Sequence, residues 1–126
     1  MTIPLFLGLS AFLWLPYGLL CFVRPDYLAQ MAGVTATTVT ATVELRAMYG
    51  GLQTAVGLLA GLAVRRPGLQ RPALIALGFL TAGLGVSRLL GTVAAGELSS
   101  YTAFALVIEF GSASLAAWCL SRREVG

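Results

Sequence analysis

Four stretches of this sequence are almost free of charge: Ile3–Val23, Leu45–Val64, Ala73–Val93 and Tyr101–Leu120. Each is close to the ~20 apolar residues that a helix needs to cross a hydrocarbon core of ~30 Å. Only 10% of the chain is charged and 58% is hydrophobic, with a mean hydropathy of +0.88, whereas about a quarter of a soluble domain is charged. The chain reads as an all-α integral membrane protein. Its single transmembrane domain, residues 1–126, has spans at approximately 3–23, 42–64, 73–93 and 101–120. The expected arrangement is an antiparallel four-helix bundle, packed through stripes of small residues.

The net charge of +3 is carried by arginine, without lysine or histidine. No basic cluster is interleaved with aromatic residues, so no nucleic acid partner is expected. The arginines read instead as topology signals. Arg65, Arg66 and Arg71 fall in the second connection, and Arg122 and Arg123 follow the last run. The other connections hold Arg24 opposed by Asp26, and Glu97. This asymmetry places both termini in the cytoplasm. The lack of histidine excludes imidazole-bound haem or zinc, and two cysteines cannot form a thiolate cluster alone. Cys21 and Cys119 end the first and fourth spans, at opposite membrane faces, whereas a disulfide needs Cα atoms within ~7 Å. No cofactor is expected.

The first run lacks the basic start and cleavage site of a secretory signal, and its apolar part is too long, so it reads as a retained helix. Pro16 removes one backbone hydrogen bond within it and is expected to kink it. Ser10, Trp14, Tyr17 and Cys21 recur at helical spacing as a face with polar tips, suited either to an interfacial aromatic belt or to a pocket wall. After Arg24, the segment Tyr27–Met31 reads as a short helix stopped by Gly33, a candidate lid. Thr35, Thr37, Thr38, Thr40 and Thr42 are all possible caps for the second long helix, and its start stays open among them. Small residues then line each later helix: Ala47, Gly50, Thr54, Gly57 and Gly61 on the second, Gly78, Thr81, Ala82 and Gly85 on the third, and Ala105, Ser112 and Ala116 on the fourth. Such stripes allow helices to approach closely.

Four ionisable residues interrupt or adjoin these runs: Glu44, Arg46, Arg88 and Glu109. With alternating helix directions, Arg46, Arg88 and Glu109 fall at depths of roughly 2, 8 and 12 Å from the outer surface, at 1.5 Å per residue. They are expected to converge on one outward-facing cavity. Arg46, Tyr49 and Gln53 share a face at i, i+3 and i+7, and Glu44 points elsewhere. A charge near the bilayer centre costs at least ~2.5–3.5 kcal/mol, so Arg88 and Glu109 are expected to pair. The pair can be an interhelical lock that fixes register. It can also be the centre of a polar pocket, with the carboxyl group held between burial, which disfavours its charge, and a guanidinium, which favours it.

The run Glu44-Leu45-Arg46-Ala47-Met48-Tyr49-Gly50-Gly51, set at the start of the second of four short spans, resembles the Glu-Leu-Arg-Ala-x-Tyr-Gly-Gly signature of a family of small bacterial integral membrane proteins of unknown function. The resemblance extends to an arginine in the third span, Arg88, and an acidic residue in the fourth, Glu109. It implies a four-helix membrane bundle, in the bacterial cytoplasmic membrane, without an established reaction.

The leading functional expectation is a membrane enzyme that applies acid/base chemistry to a lipophilic small molecule, by isomerisation, cyclisation or epoxide opening. Such an enzyme would be a cofactor-independent isomerase, cyclase or lyase. Glu109 would move the proton, with Arg88, Arg46 and Glu44 completing the catalytic set, and Tyr49, Gln53, Trp14 and Tyr17 would bind substrate. No phosphate-binding glycine loop, Ser/His/Asp set or redox motif is present to suggest other chemistry. Two alternatives remain: a non-catalytic accessory or lipid-binding protein with a structural Arg–Glu pair, and a small proton-coupled transporter acting as a homodimer.

Overall fold

The computed structural model describes residues 2–123, apart from the Arg123 side chain. The expectations for the two terminal residues, and for the Arg123 side chain as a topology signal, lie outside the described residues. Local sequence accounts for most helix boundaries. Helix α1, Ile3–Val23, carries Pro4 in its first turn, where the missing N–H has no intrahelical partner to lose. Pro16 is accommodated inside the same helix. Arg24 and Pro25 lead into α2, Tyr27–Ala32, which ends at Gly33 with φ 70°. There the Val34 N–H reaches back to the Leu28 carbonyl at 3.2 Å, a terminator that glycine adopts without a Cβ penalty.

Thr38 settles the open start of the second long helix. Its Oγ1 accepts the Ala41 N–H at 3.0 Å, capping α3, Val39–Leu45. The helix does not stop at Leu45. It continues through a π-helical turn, Arg46–Gly51, into α4, Leu52–Arg65, with the Leu52 N–H bonded to the Ala47 carbonyl five residues back. Arg66 is extended, and α5 runs Pro67–Ala95. Ser99 starts α6, Ser100–Arg123, by accepting the Thr102 N–H on its Oγ at 3.1 Å. The described residues contain no β-strand. Among the described residues, four helical stretches are long and apolar enough to cross a membrane: Ile3–Val23, Val39–Arg65, Pro67–Ala95 and Ser100–Arg122.

Large apolar side chains cover the outward surfaces of these helices, Phe12 and Phe79 being 80% and 79% exposed. Such surfaces suit lipid, where apolar exposure carries no penalty.

The chain divides into two compact units, one up to Gln70 and the other from Arg71. In the first, α1 lies antiparallel to the helix formed by α3, the π turn and α4. Phe22 meets Gly50, Gly18 meets Thr54, Leu15 meets Gly57 and Ala11 meets Gly61. A Cβ at Gly50 would stand 2.7 Å from the Phe22 Cβ, and one at Gly57 would stand 2.6 Å from the Leu15 nitrogen. In the second unit α5 and α6 run antiparallel, with Gly78 against Ala116 and Gly85 against the Phe110 ring.

The π turn changes the helical register read from sequence. It inserts one extra residue between Arg46 and Thr54, so the contacts to α1 are made by Arg46, Gly50, Thr54 and Gly57. The stripe Gly50, Thr54, Gly57 and Gly61 read from the sequence does meet α1, and the π turn adds Arg46 to it.

Candidate functional site

Hydroxyl groups inside an apolar helix ordinarily bond their own backbone. Ser10 donates to the Phe6 carbonyl at 2.9 Å, and Thr81 donates to the Leu77 carbonyl at 2.6 Å. Thr54 departs from this habit. Its Oγ1 is buried at the closest approach of α1 and α4, 2.6 Å from where a Cβ on Gly18 would stand, and makes no hydrogen bond among the described residues. Two neighbouring groups share that state: Gln53 Oε1, on the adjacent residue, and Trp14 Nε1, one helical turn before Gly18. Trp14 retains 9% of its exposure. An unsatisfied buried polar group costs about 1–3 kcal/mol. Together the three atoms supply a donor, an acceptor and a hydroxyl that can act as either. A hydroxyl or carbonyl group on an apolar skeleton complements such a set.

Other residues expected at the site belong to the same unit. Tyr17 is half-buried and meets the Tyr27 ring edge-on, with centroids 6.4 Å apart, which ties α2 to α1. Tyr49 is half-buried within the π turn. Glu44 is exposed near the end of α3 and makes no ion pair among the described residues.

Arg46 is directed to the end of α1. Its Nε donates to the Phe22 carbonyl at 3.1 Å, where a helix C-terminus concentrates partial negative charge. Its two Nη groups make no hydrogen bond among the described residues. Beside it opens a cleft of about 390 Å³, with Val23, Pro25, Asp26, Ala29 and Val34 in the wall.

In the second unit, Arg88 and Glu109 form the pair anticipated from their positions in apolar runs. Arg88 Nε lies 3.1 and 3.0 Å from Glu109 Oε1 and Oε2, and Nη2 lies 2.8 Å from Oε1. A guanidinium engaging both carboxylate oxygens is among the stronger polar contacts available to side chains. The two partners differ in access: the Glu109 side chain is 5% exposed and that of Arg88 27%. One turn further along α5, the Thr92 hydroxyl donates to the Arg88 carbonyl at 2.8 Å.

The structure therefore brings Arg88 to Glu109, while Trp14 and Gln53 each bury a polar atom that makes no hydrogen bond among the described residues, Arg46 caps a helix and Glu44 stands apart. Sequence reading placed Thr54 on the packing stripe of the second helix without giving it a binding role, and missed the cleft beside Arg46. The adjacent glycines Gly50-Gly51 in an apolar helix were the available signal of irregular backbone.

Residues 3–120 match the family described as "Domain of unknown function (DUF4345)". No curated protein and no solved structure matches the chain.

Proposed function

The chain belongs to the DUF4345 family, whose description carries no reaction, and we propose that it is an integral membrane protein that binds a lipophilic small molecule along the α1–α4 seam. One observation carries this reading: Trp14 Nε1, Gln53 Oε1 and Thr54 Oγ1 are buried without hydrogen bonds among the described residues, in a helix pair of mostly apolar side chains. A ligand with a hydroxyl or carbonyl head would satisfy groups that cost stability when left alone. The protein is an antiparallel four-helix bundle of the bacterial cytoplasmic membrane with both termini cytoplasmic. The arginine distribution supports that orientation, and the Glu44–Gly51 signature supports the bacterial assignment. In this reading Arg88 and Glu109 are a structural lock, since both carboxylate oxygens are already engaged.

A second reading, acid/base catalysis of isomerisation, cyclisation or epoxide opening, is favoured by the unequal exposure of that pair. Its accessible edge is the guanidinium, so Glu109 would transfer the proton while Arg88 steadied an oxyanion.

The test is extraction of lipophiles from full-length protein purified in mild detergent, followed by mass spectrometry of wild type, Trp14→Phe and Gln53→Leu. Each substitution removes one unpaired polar atom and keeps an apolar side chain of similar bulk. The expected result is a co-purifying lipophile with a polar head in wild type, depleted in both variants, with apo stability retained or raised. Equal lipophile content in all three proteins, or none in wild type, overturns the seam as a binding site.

A further inference from the structure

We propose that the cleft beside Arg46 is a second and separate site, which takes the headgroup of a zwitterionic phospholipid bearing a primary ammonium. The position of the cleft comes first. Helix α1 ends at Val23, and Arg24 and Asp26 are the first charges after its apolar run, so the cleft wall formed by Val23, Pro25 and Asp26 lies where a span gives way to the headgroup layer. Its volume of about 390 Å³ falls within the usual range of small-molecule pockets.

The charges then select the head. Arg46 is oriented by the bond from Nε to the Phe22 carbonyl, which leaves both Nη groups for a phosphate diester. Asp26 lies in the same wall. Its Oδ2 accepts from Arg24 Nη2 at 3.2 Å in an exposed pair, and Oδ1 makes no hydrogen bond among the described residues. Exposed pairs of this kind are weak, so the carboxylate can turn to an ammonium. A purely anionic head would satisfy Arg46 but meet the Asp26 carboxylate. A phosphate with an ammonium a few bonds away answers both charges.

The apolar wall distinguishes a lipid from a soluble ion. Val23, Pro25, Ala29 and Val34 offer surface that a free phosphate compound cannot use, whereas the glycerol and first acyl carbons of a lipid can. The wall is also held in place: Gly33 terminates α2, and the Tyr17–Tyr27 contact fixes α2 against α1. A site needs such support to keep its geometry.

The experiment measures binding of dihexanoyl phosphatidylethanolamine and dihexanoyl phosphatidylglycerol to the full-length protein in detergent micelles by calorimetry. Wild type is expected to bind the ethanolamine lipid roughly tenfold more tightly than the glycerol lipid. Asp26→Asn should erase that preference, and Arg46→Gln should weaken both lipids by about tenfold. Because Arg46→Gln also removes the α1 cap, Ala36→Trp supplies an independent check. It narrows the cleft from an exposed wall residue and leaves the Arg46–Phe22 bond intact, and it should weaken both lipids. Wild type that binds neither lipid, or that prefers phosphatidylglycerol, overturns the proposal, as does unchanged binding in Ala36→Trp. Displacement of the lipid by soluble phosphoethanolamine at equal concentration would assign the cleft to a free ion and likewise overturn it.

Discussion

Glu109 gives both of its carboxylate oxygens to Arg88, through Nε at 3.0 and 3.1 Å and Nη2 at 2.8 Å, across the α5–α6 contact. If this arrangement is a lock, neither residue should be removable alone. Arg88→Met or Glu109→Leu leaves a partly buried charge without its partner and is expected to cost about 3–5 kcal/mol, whereas the double substitution should recover most of that loss. Thermal unfolding in detergent of the four proteins in the cycle checks this. Additive losses would show that the two residues act separately.

Glu109→Gln separates the lock from the acid/base reading. The amide still accepts a hydrogen bond from Arg88 but leaves the guanidinium charge uncompensated, so the lock reading expects lower thermal stability and lipophile binding that follows the folded fraction. A variant that folds as well as wild type, yet no longer converts a lipophile that wild type converts, would move Glu109 from structure to catalysis.

Gly57 and Gly61 sit one turn apart on α4 but face different demands. A Cβ at Gly57 would enter the Leu15 backbone at 2.6 Å, while one at Gly61 would rest 3.7 Å from the Ala11 Cβ. Gly57→Ala is therefore expected to destabilise by about 1–3 kcal/mol, as overpacking does, and Gly61→Ala to be tolerated. Equal unfolding temperatures for the two variants would contradict the close approach of α1 and α4.

The π turn stores one residue more than a regular helix needs. Deleting the exposed Met48 should convert Arg46–Gly51 to α-helix and leave Arg46, Gly50 and Thr54 facing α1, at spacings of three and seven residues. Deleting the exposed Leu58 from α4 should instead rotate one end of the helix away from its contacts. Folding yield by size-exclusion chromatography should favour the Met48 deletion strongly, and the reverse order would show that the turn is needed as such.

Gly68 is exposed in the first turn of α5, with open space around it, and both native cysteines are buried. A cysteine placed there reports orientation against a low background. It should resist a membrane-impermeant thiol reagent in intact cells and react once the membrane is opened, in keeping with arginines on the cytoplasmic side. Labelling in intact cells would invert the assignment.

The long apolar helices were legible because hydrocarbon imposes a length and a composition on any helix that crosses it. The Arg88–Glu109 pair was legible for a related reason: two opposite charges inside apolar runs have few other ways to be satisfied. Register within the second span was not, because counting residues at 3.6 per turn cannot reveal the extra residue between Arg46 and Gly51. The bond of Arg46 to the end of α1 was lost with it, whereas Thr54 already stood on the stripe read as a packing surface. The choice among five threonines was equally beyond sequence, since any can cap, and only the Thr38 Oγ1 bond to the Ala41 N–H identifies the one that does.

The close approach at Gly50 and Gly57, set beside the outward-facing Phe12 and Phe79, inverts the usual map of mutational tolerance. In a soluble protein the large side chains of the interior are the least replaceable, because removing them opens cavities. Here the bulkiest residues face a solvent as apolar as themselves and can be exchanged for one another freely. Gly18, Gly50 and Gly57, where a Cβ would stand less than 3 Å from the facing helix, admit no substitute. A saturation scan read as though the chain were soluble would discard its most constrained sites as spacers, and drift among related sequences should gather on phenylalanine and leucine while the seam glycines stay fixed.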